Sequence, residues 1–398
     1  MVLMADTGFV FLCTLLVWLM TPGLAFFYGG MGQTKNVLST AMYSFSAIVV
    51  VSILWVMIGY SLAFSEGNAF FGGFDYIWLN DLGFNIPKEG IPDVLNMMFQ
   101  LTFCAITVAI ISGAVAERMK FSAWLLFITL WVLLVYTFVA HWVWGGGFIG
   151  VNIGALDFAG GTVVHIASGV TGLVLALMLG KRKEVTLPHN LTLVGIGGTL
   201  VWLGWFGFNT GSALSLNDVA MHAFVNTSTA AVFGIVAWVG LEWVVNKKPT
   251  LLGTMSGALA GLVGITPAAG FVTLTGSLFI GLLTGAGCYW AITFLKPRLG
   301  YDDALDAFGL HGVGGAIGAL LTGVFANKTV GGVDGLLTGN PLLVWDQFLA
   351  IIITVVFVAV MTFVIAKVVG LVTSLRVTKQ AEQTGLDITI HGERAYRE

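Results

Sequence analysis

The sequence has 398 residues, of which 57% are hydrophobic and only 9% are charged, and its formal net charge is −3. A soluble domain normally carries about 25% charged residues, so this composition excludes an ordinary soluble globular protein, and we expect no nucleic-acid partner. Apolar runs of about 20 residues recur along the chain, and each is long enough to cross roughly 30 Å of hydrocarbon. The composition therefore predicts an all-α polytopic membrane protein.

The apolar runs predict eleven transmembrane helices. They cover residues 9–30, 38–64, 93–115, 121–140, 158–179, 191–213, 220–245, 252–271, 274–295, 303–326 and 344–375. The last run is long enough to require a tilt or to project into the cytosol. Residues 1–375 accordingly form a transmembrane domain, and the charged residues 376–398 form a cytoplasmic C-terminal tail. Since no Lys or Arg precedes Lys35, we expect the first run to be a retained span and not a cleaved signal peptide.

The distribution of Lys and Arg predicts the orientation in the membrane. Basic residues accumulate in cytoplasmic loops, so the correct arrangement should place most of them on one side. With the N-terminus outside, all but three of the 17 basic residues lie inside. Lys88 and Lys328 fall outside, and Lys367 lies within the last span. The pattern predicts eleven spans with the N-terminus outside and the C-terminus in the cytosol.

Eleven spans divide into five, five and one, and two pairs of segments indicate an internal repeat. The first span contains PGLAFFYGG and the sixth contains LGWFGFNTG. The fifth span has Asp157 followed by His165, and the tenth has Asp303 or Asp306 followed by His311. Because five is an odd number, the second copy must be inverted in the membrane. We therefore predict a five-plus-five inverted repeat, with a functional site at the midplane, and a long C-terminal helix.

The two histidines lie at matched depths in this arrangement. Each follows its aspartate by eight residues in the sequence, if Asp303 is taken in the second copy, which corresponds to about 12 Å along a helix. One helix enters from outside and the other from inside, so both imidazoles should reach the middle of the membrane. We therefore expect His165 and His311 to meet there.

An ionisable side chain at membrane depth is a functional-site hypothesis by default. A single histidine would more often be a packing residue, but two at matched depth in a repeat make that alternative weaker. A metal site lacks further ligands at helical spacing, and an enzyme would need a nucleophile and base that the sequence does not offer. Asp157 fits a helix N-cap, which leaves open a second role near a cation.

Aromatic residues accompany these polar groups. Phe99 and Phe103 are four residues apart, on one helix face. Phe208 precedes Ser212 by the same interval. Trp144 opens a glycine-rich segment at the membrane surface, where belt tryptophans without a further role are also common.

The stretches DFAGGTVVHIASG, WFGFNTGSA, HWVWGGG and DDALDAFGLHGVGGAIGALLTG resemble the Amt/Mep/Rh family of ammonium transporters, in the order of that family. The resemblance is greater to the Amt branch, and it includes the tail GLDITIHGERAY at 385–396. It implies eleven helices, a homotrimer with one pore in each subunit, no cofactor, and a location in the cell membrane. In this family the tail couples subunits and responds to PII-class regulatory proteins, so the resemblance implies such a partner at the cytoplasmic face.

The resemblance also implies roles for individual residues at the outer mouth. Trp144, Phe99 and Ser212 would form a cation-recruiting site, and Asp157 would support it. Beneath them, Phe103 would close the pore as one of two stacked rings.

Deeper in the pore, Phe208 would be the second ring of the gate. Four further side chains would line the path: His165, His311, Trp205 and Tyr136, the last near the outer vestibule.

A physical argument accounts for this pattern. Ammonium resembles potassium in size, and moving either bare ion into hydrocarbon costs on the order of tens of kcal/mol. Ammonium alone can release a proton and cross as NH3. We therefore predict that ammonium, and also methylammonium, binds at an outer aromatic site, and that ammonia then crosses beside the paired histidines with net proton transfer. An electroneutral ammonia channel and an ammonium sensor remain the alternatives.

Overall fold

In the computed structural model, which describes residues 2–87 and 90–396, the chain folds into long helices. We number them α1 to α11: Val2–Met31, Thr34–Phe64, Asp93–Val115, Phe121–Val143, Gly161–Leu179, Leu191–Gly211, Asp218–Asn246, Leu251–Ile265, Leu274–Leu299, Phe308–Phe325 and Leu342–Val372. Within the described ranges, ten helices are long and apolar enough to cross a membrane, and α8 is shorter. The predicted all-α polytopic fold is confirmed. Lys88 and Arg397, which contributed to the predicted orientation, lie outside the described residues.

Three helices are at least three residues shorter than the sequence predicted. α8 ends at Ile265 and not at residue 271, because Pro267 has no backbone N–H to continue the helical hydrogen bonding. α5 and α10 begin three and five residues late. Left-handed backbone precedes each of them, at Gly160 with φ of 114° and at Asp306 with φ of 62°.

Both helices that carry a predicted site histidine begin with a widened, π-helical turn. The turn of α5 covers Gly161–Ile166 and contains His165. The turn of α10 covers Phe308–Gly312 and contains His311. Such turns are rare in proteins as a whole, and those that occur often lie at functional sites. The two helices occupy corresponding positions in the inverted repeat, so the same local construction occurs in both halves.

Glycines allow corresponding helices of the two halves to pack closely. The first helices, α1 and α6, are in contact, and a β-carbon at Gly197 would lie 2.2 Å from the backbone nitrogen of Phe27. The fifth helices, α5 and α10, also cross, and there Gly169 faces Gly312. Small residues at such crossings let the backbones approach without a hydrophobic driving force. α11 packs against α5 and α10 and lies outside both halves of the repeat.

The segment after α11 folds back onto one end of the helical bundle. Arg376 forms an ion pair with Glu382 at 2.8 Å. The carboxylate of Asp387 accepts hydrogen bonds from the backbone N–H groups of Leu38 and Ser39, at 3.1 and 2.7 Å. Residues 376–396 therefore pack against the start of α2, and this end of the bundle is called the tail end below.

Substitution of Gly169 tests the close crossing of α5 and α10. A β-carbon there would lie 2.2 Å from the backbone nitrogen of Gly312, and backbone cannot move aside as a side chain can. We expect Gly169→Ala to lower the free energy of unfolding by about 1–3 kcal/mol, the usual cost of overpacking. The thermal unfolding midpoint in detergent measures this. The matched control is Gly240→Ala on α7, where no atom lies within 4 Å of the new methyl, and an equal midpoint for both variants would contradict the packing argument.

Candidate functional site

A cavity opens at the end of the bundle opposite the tail end. Its volume is about 390 Å³, and we call it the vestibule. It is lined by Phe64, Asn96, Gln100, Phe103, Val143, Trp144, Phe158, Ser212 and Leu214. The helices that supply these residues, chiefly α2, α3, α4 and α6, place it at the end of the bundle where α2, α4 and α6 terminate. The vestibule is large enough for a small hydrated cation.

Aromatic rings and one hydroxyl surround the vestibule. The indole Nε1 of Trp144 donates a hydrogen bond to the carbonyl oxygen of Asp157 at 2.8 Å, which fixes the orientation of the ring. The ring meets that of Phe103 edge-on, with centroids 5.9 Å apart. Ser212 donates its hydroxyl proton to the carbonyl oxygen of Phe208 at 2.9 Å, so its lone pairs remain available as acceptors. Aromatic faces and an oxygen acceptor together suit a small cation.

Two stacked phenylalanines close the vestibule. The rings of Phe103 and Phe208 are 4.1 Å apart between centroids and nearly parallel, at 19°. Both side chains are almost completely buried. The stack separates the vestibule from a second, narrow cavity and would have to open for any molecule to pass.

The narrow cavity lies beneath the phenylalanine stack. Its volume is about 10 Å³, close to the lower limit for a single water molecule. Apolar side chains from α1, α3 and α6 form most of its wall, and the lining residues with polar atoms are Tyr28, His165, Trp205 and His311. A hydrated ion does not fit in this space.

The two imidazoles meet in the narrow cavity, as the matched depths predicted. The Nδ1 atoms of His165 and His311 are 3.1 Å apart, and the ring centroids are 5.2 Å apart. Trp205 stacks on His165 at 5.3 Å. The prediction that the histidines meet is confirmed.

Hydrogen bonding around Thr266 assigns the imidazole protons. The Thr266 hydroxyl donates to the carbonyl oxygen of Leu262 at 2.8 Å and accepts from Nε1 of Trp205 at 2.9 Å. Nε2 of His165, 3.3 Å from the same oxygen, must therefore be the donor. Its Nδ1 is then an acceptor, and Nδ1 of His311 donates to it. This leaves Nε2 of His311 unprotonated and able to accept a hydrogen bond.

Asp157 caps the first turn of α5. Its carboxylate accepts from the backbone N–H groups of Gly160, Gly161 and Thr162 at 2.7, 2.6 and 2.8 Å, and from the Thr162 hydroxyl. Burial raises the pKa of the Asp157 carboxyl, although these hydrogen bonds act in the opposite direction. Gly160 occupies the N-cap position, so Asp157 caps the turn from three residues upstream, as the predicted acceptor for first-turn N–H groups. The carboxylate does not line the vestibule, so Asp157 acts on it through its own carbonyl bond to Trp144.

Besides Asp157, two predicted site residues line neither cavity. Phe99 is buried behind Phe103, with ring centroids 4.8 Å apart, because the next turn of α3 places Phe103 and not Phe99 against Trp144. Tyr136 packs against Trp55, with centroids 5.9 Å apart, since its side of α4 faces α2. The structure therefore places Phe99 and Tyr136 as supports of the path and not as its surface.

Sequence reasoning missed the two amide side chains of the vestibule and the hydroxyl that contacts His165 and Trp205. Asn96 and Gln100 precede Phe103 by seven and three residues, a helical spacing that puts all three on one face of α3. That spacing was available in the sequence. Thr266 lies in an irregular turn before Pro267, and no sequence signal indicated its contact with His165. Among residues 2–87 and 90–396, no group of three or more His, Cys, Asp or Glu side chains is placed to hold a metal ion.

Comparison with known proteins finds similar sequences over nearly the whole chain. The family model of the Ammonium Transporter Family matches residues 8–396. An ammonium transporter of Bacillus subtilis is 60% identical over 99% of both chains. The ammonium transporter Amt1 of Archaeoglobus fulgidus is 43% identical, over 98% of this chain and 99% of that one.

Solved structures share the fold. The crystal structure of Saccharomyces cerevisiae Mep2 superposes with a TM-score of 0.88 at 36% identity, covering 95% of this chain and 88% of that one. A structure described as a sensor Amt protein superposes with a TM-score of 0.91 at 28% identity, covering 98% of both chains. The helical arrangement is thus similar to that of Mep2 and of a protein described as a sensor.

Proposed function

The chain belongs to the ammonium transporter family, and we propose that it transports ammonium by binding NH4+ in the vestibule and conducting NH3 past the paired histidines. The observation that carries this proposal is the succession of an open vestibule with aromatic and polar lining, an aromatic closure and a cavity too narrow for a hydrated ion. The vestibule suits the charged form of the substrate, and the narrow cavity suits the neutral form.

The vestibule binds the charged form. Trp144 and Phe103 offer aromatic surfaces, and a partly desolvated cation gains roughly 0.5–2 kcal/mol from such a surface. Ser212 adds an oxygen acceptor. Phe99 supports Phe103 from behind, and Asp157 holds Trp144 in place.

The narrow cavity selects the neutral form. Its apolar wall offers a cation almost nothing in exchange for its hydration, and a bare ion there would cost many kcal/mol. NH3 carries no charge and fits a space of this size. Nε2 of His311 accepts a hydrogen bond from an ammonia N–H as the molecule passes. Potassium has no proton to release and is excluded.

The proton follows through the imidazoles. The hydrogen bonds from Nε2 of His165 to Thr266 and from Nδ1 of His311 to Nδ1 of His165 form a continuous chain. A proton accepted at one end can be released at the other while the shared proton moves between the rings. The transport then amounts to net movement of NH4+. Electroneutral passage of NH3, with the proton returning to the vestibule, is the competing mechanism.

The orientation and the assembly extend this proposal. The tail end carries Arg118, Arg182 and Arg376, so the positive-inside rule places it in the cytosol and the vestibule outside. Residues 1–375 then form the transmembrane domain and 376–398 the cytoplasmic tail, in the cell membrane. Family membership supports a homotrimer and a PII-class partner at the cytosolic face. A sensor role is the second candidate, because a structure described as a sensor shares the fold.

Charge movement in proteoliposomes tests the proposed function. Purified protein is reconstituted on a solid-supported membrane and exposed to a step of ammonium, with potassium as the ion of similar size and protein-free liposomes as the blank. We expect a transient current for ammonium and none for potassium. Equal currents for both ions, or transport of neither ammonium nor ammonia, would contradict the proposal.

A further inference from the structure

Two amide oxygens near the vestibule lack hydrogen-bond donors. Oδ1 of Asn96 and Oε1 of Gln100 are buried, and neither accepts a hydrogen bond from the described part of the chain. The amide nitrogen of Asn96 donates to the hydroxyl of Tyr60 at 3.3 Å. A buried acceptor without a donor is costly, and in native proteins it usually has a water or ligand partner.

Both amides belong to the wall of the vestibule, above the phenylalanine stack. Gln100 lies one turn of α3 from Asn96, and Phe103 lies almost one turn further. At 1.5 Å per residue, the three positions descend in steps of about 6 and 4.5 Å. The acceptors thus stand between the start of α3 and the aromatic floor, along the route of an entering cation.

Ammonium needs acceptors that the aromatic floor does not supply. It has four N–H groups, each bound to water in solution, and the floor provides ring faces and one hydroxyl oxygen, that of Ser212. The residues lining the vestibule include no Asp or Glu. Neutral amide oxygens can replace water without holding the ion as tightly as a carboxylate would.

We propose that Asn96 and Gln100 form an acceptor pair that binds ammonium above the aromatic floor and replaces part of its hydration shell. This inference rests on the proposed function and adds a binding stage to it. The pair favours ammonium over methylammonium, because methylammonium has three N–H groups and a methyl that amide oxygens do not bind. Loss of one acceptor should therefore weaken ammonium more than methylammonium.

The substitution Gln100→Met tests the acceptor pair, since it keeps the length of the side chain and removes its polar atoms. We expect the ammonium concentration for half-maximal current to rise about three- to tenfold, the effect of losing one hydrogen bond to a cation at a partly solvated site. The maximal current should stay within about twofold. For methylammonium the rise should be less than half as large. Gln100→Glu retains the acceptor and should restore tight ammonium binding.

Controls separate this inference from the proposed function. Gln380→Met makes the same chemical change at an exposed position of the tail and should alter neither substrate. If the wild type gives an ammonium current and Gln100→Met leaves its half-maximal concentration unchanged, or shifts both substrates equally, the acceptor pair is refuted and the proposed function stands. No ammonium transport by the wild type would refute the proposed function itself. Asn96→Met should show the same selectivity with a smaller shift, so it serves as the test if Gln100→Met does not fold.

Discussion

Replacing His311 with alanine is expected to reduce the ammonium current about a hundredfold or more, the lower end of the effect of losing a positioned proton acceptor. The variant lacks Nε2, the unprotonated nitrogen that the hydrogen bonding of Thr266 and His165 leaves in the narrow cavity. It also interrupts the proton chain, because nothing then donates to Nδ1 of His165. His165→Ala removes the link to Thr266 and should have a comparable effect.

The same variants should show a change in selectivity. Each substitution widens a cavity of about 10 Å³, and the added space admits water and hence ions. We expect a potassium current that the wild type does not carry, measured in the same reconstituted membranes. His222→Ala, at an exposed position on α7, is the matched control and should behave as the wild type. Full ammonium currents in both His165→Ala and His311→Ala, with potassium still excluded, would show that the imidazoles take no part in conduction.

Asp157→Ala should have the second-largest effect, and on stability as well as transport. The substitution removes the acceptor for the backbone N–H groups of Gly160, Gly161 and Thr162. Because these groups are buried, we expect the free energy of unfolding to fall by about 2–4 kcal/mol. Transport should weaken further, since the loop that orients Trp144 loses its anchor.

A graded series distinguishes a capping role from a charge effect at Asp157. Asp157→Asn keeps one oxygen acceptor and should retain more of the thermal stability than Asp157→Ala. Asp218→Ala provides the control, because Asp218 is also a carboxylate in the first turn of a helix but is exposed. Comparable losses in Asp157→Asn and Asp157→Ala would mean that the negative charge, and not the hydrogen bonding, is what the protein requires.

The membrane-spanning helices could be predicted from the sequence because hydrocarbon imposes a minimum length on every apolar run. The predicted helix ends were wrong where an apolar run extends into irregular backbone. Residues 266–271 are apolar enough to read as helix, yet Pro267 ends α8 before them. Similarly, hydrophobicity at the start of α5 and α10 did not reveal the left-handed residues Gly160 and Asp306.

The part of the candidate site that could be predicted is the part that depends on how deep a residue lies in the membrane. His165 and His311 meet because the two copies of an inverted repeat place them at equal distances from opposite faces of the membrane. Contacts between faces of different helices were not predictable, since periodicity does not fix how a helix is rotated against its neighbours. The family resemblance placed Tyr136 and Phe99 on the path, and it did not show which face of each helix turns towards the cavities.

The most direct test of the account is to record the luminal pH of proteoliposomes together with the charge moved, after an ammonium step at clamped membrane potential. If ammonia and its proton both cross, inward current accompanies ammonium entry and the lumen does not become alkaline. An alkaline lumen without current would show that only NH3 crosses, and would contradict a proton pathway through the paired histidines.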